Sequence, residues 1–121
     1  MSLGDEQYLS VTTYRRDGTP VATPVWVAAD GADLVFWTVT DSAKVKRIRN
    51  NPSVTVAPCD LRGNLKGEAV RGTATILSAE ETERVRGLLR RKYGLVGRIT
   101  LLGSKLRRGS TGTVGVRITD I

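Results

Sequence analysis

Apolar positions recur along this chain with two different periods. In Tyr8-Leu9-Ser10-Val11-Thr12-Thr13-Tyr14, β-branched and aromatic residues alternate loosely with polar ones, as in a strand with one buried face. Asp17-Gly18 follows as a hairpin-turn signal, and Pro20 to Ala29 reads as the returning strand. Pro24 in its middle predicts an edge, a bulge or a local break in pairing, since proline has no N–H for the ladder. Asp30-Gly31 is a second turn and Asp33 to Val39 a third strand, so the chain opens as an antiparallel meander. Ser53 to Cys59, Gly67 to Leu77 and Thr113 to Ile121 supply three more strands. Gly72, inside the fifth, predicts a bulge or a sharp bend.

The other period is helical. In Ser42 to Asn51, Val45 and Ile48 share a face, Asp41 or Ser42 can cap the N-terminus, and Pro52 ends the segment. Ser78 and Glu81 form a capping box ahead of a helix from Ala79 to about Tyr93, with Gly94 as its C′ residue. That helix packs by Val85, Leu88 and Leu89 and turns its arginines to solvent. Leu95 to Leu102 reads as a short further helix and Ser104 to Gly112 as a basic loop. Six alternating strands with short turns and few helices predict a mainly β, antiparallel, closed or partly closed barrel with helices outside. Residues 1–121 suit one domain.

Composition narrows the chemistry. There is no histidine, which removes Ser-His and Cys-His nucleophile pairs, His-ligated zinc and His-ligated haem. Cys59 stands alone, so no internal disulfide forms, as expected of a cytoplasmic protein. Cys59 reads as a small buried residue rather than a nucleophile. No apolar run approaches the roughly 20 residues of a membrane helix, and residues 1–7 lack the apolar core of a signal peptide. An enzyme of this composition leaves the hard step to a bound cofactor.

The net charge of +7 favours anionic partners without choosing among them. Its distribution is uneven, since no acidic residue occurs from Arg84 to Thr119. The Ser42 helix is also basic, with Lys44, Lys46, Arg47 and Arg49. A strand feeding a capped helix, with free N–H groups, a hydroxyl and a lysine in the first turn, suits a phosphate or another anion. The plain alternative is a solvated amphipathic helix. Nucleic acid is disfavoured by the few aromatics and the absence of a reading motif.

Several stretches together resemble the split β-barrel flavin and deazaflavin oxidoreductases, the superfamily of pyridoxamine 5′-phosphate oxidase. They are Gly18-Thr19-Pro20, Thr23-Pro24-Val25-Trp26-Val27, Thr40-Asp41-Ser42-Ala43-Lys44 through Asn50-Asn51-Pro52, Val56 to Gly63, Gly72-Thr73-Ala74 and Lys92-Tyr93-Gly94. The small branch dependent on coenzyme F420 is the nearer match. The resemblance implies a six-stranded antiparallel split barrel of the FMN-binding, Greek-key type, with two to three flanking helices. It implies a homodimer with the cofactor in a groove at the interface, and hydride transfer to a small organic acceptor. Ser42 and Lys44 would hold the cofactor phosphate, with Lys46 or Arg47 nearby. Thr38 would face the cofactor, and Thr23, Pro24, Val25 and Trp26 would lie beside its ring. The basic segment from Arg84 to Arg108 would take a polyglutamate tail. FMN in the same fold, or a non-catalytic F420 carrier, are the alternatives. Trp37 and Tyr93 read as packing residues, and Arg62 sits in a turn that could reach a partner's site. No general acid stands out.

Overall fold

Val27 is the single residue between two strands that lie at opposite ends of one sheet. A computed structural model describes the backbone of residues 3–108 and 112–121, and the side chains of all of these except 94–108. The strands are β1 (Tyr8–Tyr14), β2 (Pro20–Trp26), β3 (Ala28–Asp30), β4 (Asp33–Val39), β5 (Ser53–Cys59), β6 (Val70–Ile76) and β7 (Thr113–Thr119). The helices are α1 (Ala43–Asn50) and α2 (Ala79–Arg108). The sheet order is β2-β1-β5-β6-β7-β4-β3, with every neighbouring pair antiparallel. Because β2 and β3 are its two ends and one residue joins them, the sheet curls until its ends meet. This is the split-barrel architecture.

The predicted Pro20–Ala29 strand therefore divides at Val27, which makes seven strands rather than six. Before Val27 the chain pairs with β1, and after it with β4. Pro24 sits opposite Ser10 on the edge strand β2, the position its missing N–H requires.

Side chains alternate between the interior and the outer face. Leu9, Val11, Val25, Phe36, Val56 and Ile118 fill the interior with their neighbours, and Ile48 of α1 packs into the same core. A second cluster lies outside, where α2 brings Val85 and Leu89 against Val35 and Leu77. Gly72 allows a close approach, since a Cβ there would lie 2.7 Å from a methyl of Ile118 and 3.0 Å from the Thr119 carbonyl oxygen.

Helix α2 runs unbroken through Gly94 for 30 residues, so the predicted stop at Tyr93 and the separate helix over 95–102 merge into one element. The apolar spacing of Val85, Leu88, Leu89, Leu95, Val96 and Ile99 keeps the helical period across the glycine. A lone glycine costs a helix about 1 kcal/mol, too little to stop one so supported. The predicted loop over 104–112 is helical as far as Arg108, and residues 109–111 lie outside the described residues. Strand β6 starts at Val70 rather than Gly67. Just upstream, Leu65 bridges to Cys59, and the Lys66 N–H donates to the Pro58 carbonyl at 2.8 Å.

Candidate functional site

The site is built on the junction between β4 and α1. By alternation with buried Phe36, Thr38 faces the barrel interior, where it is half-buried opposite Val114. The chain then turns sharply, with the Thr40 N–H donating to Gly112 and the Ser42 N–H to Val39, each at 3.0 Å. Ser42 has extended backbone angles, and its hydroxyl oxygen accepts from the Val45 N–H at 3.3 Å, which makes it the helix cap. A capping hydroxyl still has its own proton to donate. Val45 and Ile48 are buried and fix the roll of the helix.

That roll points Lys44 inward. Its ammonium stands 5.8 Å from the centre of the Phe36 ring and is half-buried. Among the described residues no carboxylate comes within ion-pair distance of it. Burial, and then the charge of Arg47, bring its pKa down to about 8. A desolvated cation without a counter-charge favours an incoming anion.

Arg47 lies one turn further on. Its Nε donates to the hydroxyl of buried Thr13 at 2.6 Å. Lys46, about 200° around the helix from Lys44, points elsewhere and is exposed. With Arg47, Tyr14, Arg15, Arg16 and Asn50 it lines an open groove of about 320 Å³. Sequence reasoning missed Arg15 and Arg16, which directly precede the Asp17-Gly18 turn signal. Arg49 is exposed.

The four candidates on β2 divide between two faces. Val25 is in the barrel core, and Thr23 shares its side by alternation. The Thr23 hydroxyl is buried and has no hydrogen-bond partner among the described residues. Pro24 and Trp26 point outward, and the Trp26 indole stacks on Tyr93 of α2 with ring centres 4.3 Å apart. Being an edge strand, β2 also leaves backbone groups unpaired on one side. The Thr23 hydroxyl, the open β2 edge and the Lys44 ammonium are thus the polar groups of the candidate residues left without a partner among the described residues.

The basic segment proves different from its sequence reading. Arg84 is held by two hydrogen bonds to Asp30. Arg86 is buried rather than solvent-facing, and it bonds Glu83 and the Thr113 hydroxyl. The Lys92 ammonium is ringed by backbone carbonyls. Of the described cations in the segment, Arg90 and Arg91 are the ones exposed without such a contact. Cys59 is buried, and burial followed by the charge of Asp60 pushes its thiol up, so it is no thiolate nucleophile. Trp37 packs beside the α2 cluster. Arg62 is exposed in a turn closed by Asp60, whose carboxylate accepts from the Arg62 and Asn64 N–H groups at 2.9 Å.

The pyridoxamine 5′-phosphate oxidase family model matches residues 2–118. The chain belongs to that family. Solved structures agree on the fold. An F420 reductase is 24% identical, with a TM-score of 0.69 over 96% of this chain and 88% of that one. A conserved hypothetical protein from Mycobacterium tuberculosis is 23% identical, with a TM-score of 0.72 over 97% and 74%. An F420-H2 dependent reductase is 15% identical, with a TM-score of 0.61 over 93% and 94%. No curated protein matches the chain. Membership places the chain within the split-barrel oxidoreductases that use flavin-type cofactors. Among the described residues no helix is long and apolar enough to cross a membrane.

Proposed function

We propose that this chain is a cytoplasmic, homodimeric oxidoreductase that binds coenzyme F420 and passes a hydride between the reduced deazaflavin and a small organic acceptor. The observation that carries the reading is Lys44, a half-buried ammonium with its pKa lowered to about 8 and, among the described residues, no carboxylate beside it. Lys44 and the Ser42 hydroxyl hold the cofactor phosphate, and Arg47 adds charge from the next turn. Thr38 and β2, with Thr23, Pro24, Val25 and Trp26, border the ring. When bound, the cofactor supplies the hydride, and the protein holds the acceptor against it and excludes water. The partner subunit completes the groove.

A polycarboxylate tail on the cofactor runs into the groove of Arg15, Arg16, Lys46 and Arg47. That groove adjoins Lys44 through Arg47, whereas in the other basic segment Arg86 and Lys92 are engaged inside the fold, exposed Arg84 is paired with Asp30, and the side chains of Arg98, Lys105, Arg107 and Arg108 lie outside the described residues. FMN is the second reading, favoured by the flavin chemistry of the family to which the chain belongs. Titration with F420 and with FMN, followed by fluorescence, decides between them. Micromolar binding of F420 and weaker binding of FMN is the expected result. No F420 binding at that level ends the first reading, and a yellow protein as purified supports the second.

A further inference from the structure

The gap where the two ends of the sheet meet is closed by two adjacent residues of α2. The Lys92 ammonium donates to the carbonyls of Gly4, Glu6 and Val27 at 2.7, 2.5 and 2.5 Å. Three carbonyls satisfy all three of its protons. The Tyr93 hydroxyl accepts from the Val27 N–H at 3.0 Å and donates to the Gln7 carbonyl at 2.6 Å. Both polar groups of the Val27 backbone are thus held by side chains of one helix, at the residue where the chain passes from β2 to β3. The Tyr93 ring meanwhile lies nearly parallel to the Trp26 indole, 10° from coplanar at 4.3 Å. The N-terminal residues are drawn into the same seam, and Gly4 packs so tightly on Ala29 that a Cβ there would lie 2.5 Å from the Ala29 Cβ.

The Val27 side chain is buried in the core and Trp26 pairs with Tyr8, but the Val27 backbone itself lies outside both ladders. An edge strand is paired on one side only, and one that ends in a crossover has no ladder beyond its last residue. A lysine and a tyrosine whose polar ends are spent on the backbone of that crossover supply the missing constraint. We propose that Lys92 and Tyr93 are positioning residues, which set the end of β2 and the plane of the Trp26 indole so that this strand meets the cofactor ring in one fixed geometry. This rests on the reading that β2 borders the ring.

The test uses the full chain carrying Trp37→Phe, in which Trp26 is the sole tryptophan. In that background Tyr93→Leu shifts the Trp26 emission to longer wavelength and raises the dissociation constant for F420 at least fivefold. Tyr93→Phe keeps the stacked ring and the emission, and weakens binding at least twofold. Lys92→Met weakens binding at least fivefold and decides the matter if Tyr93→Leu does not fold. Thr82→Ala removes a buried side chain on the same helix, outside the cluster that holds Trp26, together with its hydrogen bond from the Gly115 N–H; it lowers the melting temperature and leaves emission and affinity unchanged. Folded Tyr93→Leu and Lys92→Met proteins that bind F420 as the background does would overturn the positioning role and leave the cofactor reading standing. Equal weakening by Thr82→Ala would also overturn it, by showing a loss of general stability. A background protein that binds neither F420 nor FMN removes the cofactor reading, and this role with it.

Discussion

The Lys44 ammonium lies 5.8 Å from the centre of the Phe36 ring, and Phe36 is fully buried. The ring face offers a weak partner to a cation, worth about 0.5–2 kcal/mol, and it does not replace lost water. The lowered pKa of Lys44 records the deficit. A position that burdens the folded protein is expected where an anion later completes it. Lys44→Ala should weaken F420 binding by about 1.5–3 kcal/mol, the range for a hydrogen bond to a charged group. Fluorescence titration measures it, and unchanged affinity would return α1 to a solvated basic helix.

The same residue sets a pH dependence whose sign is fixed. The folded pKa of about 8 lies below the ordinary 10.5, so between these values the unfolded chain binds more protons than the folded one. Stability from this group therefore rises as pH climbs from about 8 to about 10.5. Lys44→Met should be more stable than the parent at pH 7, by about 0.5–2 kcal/mol, and the margin should shrink through that window. Melting curves of both proteins across the range check it. Cofactor affinity should fall above pH 8 in the parent alone, as the ammonium loses its proton.

Asp30 ties the β3–β4 turn to both α2 and β7. Hydrogen bonds from Arg84 and then Arg117 hold its carboxyl at about 2, below the usual 3.8. A depressed carboxylate stabilises the fold above about pH 4, and that contribution is lost as pH falls towards 2. Asp30→Asn should cost about 1 kcal/mol at pH 7, since the network is partly exposed. In urea melts its stability should approach the parent's as pH falls to 2 and match it below that. A difference that persists there would show packing rather than charge.

Gly72 should tolerate no side chain. A Cβ would meet Ile118 at 2.7 Å, Ile121 at 2.8 Å and the Thr119 carbonyl oxygen at 3.0 Å. Backbone cannot give way as a side chain can, so Gly72→Ala should destabilise by about 1–3 kcal/mol. Chemical denaturation measures this.

Period and turn chemistry made most of the barrel readable. The alternation of Val114, Val116 and Ile118, the two Asp-Gly turns and the Ser78–Glu81 cap are local signals, and each lies where the residues put it. The break at Val27 was not readable, because Val25, Val27 and Ala28 are apolar on either side of it, and a change of partner is decided by where the sheet ends meet. Gly94 misled for the opposite reason. It is a true local stop signal, overridden by an apolar stripe that continues beyond it. At the site, Ser42 as a cap and Lys44 in the first turn of the helix follow from order along the chain. The inward aim of Lys44 depends on Val45 and Ile48 finding the core. The burial of Arg86 and the approach of Arg15 and Arg16 to α1 are tertiary facts with no trace in spacing.

That last approach yields a prediction separating the groove from the segment that sequence alone favoured. Arg15, Arg16, Lys46 and Arg47 line one surface, and no carboxylate among the described residues forms an ion pair with any of them. Each exposed cation should contribute roughly 0.2–1 kcal/mol to a polycarboxylate lying along it. Replacing Arg16 and Lys46 together by Glu should therefore weaken F420 by more than the same change at exposed Arg90 and Arg91. The loss should shrink as salt is raised, because charges on an open surface are screened. A deazaflavin that keeps the phosphate but lacks the tail should bind the Arg16–Lys46 variant as it binds the parent, while Lys44→Ala weakens both ligands. Equal losses from the two double variants would mean that net charge, rather than this groove, draws the tail in.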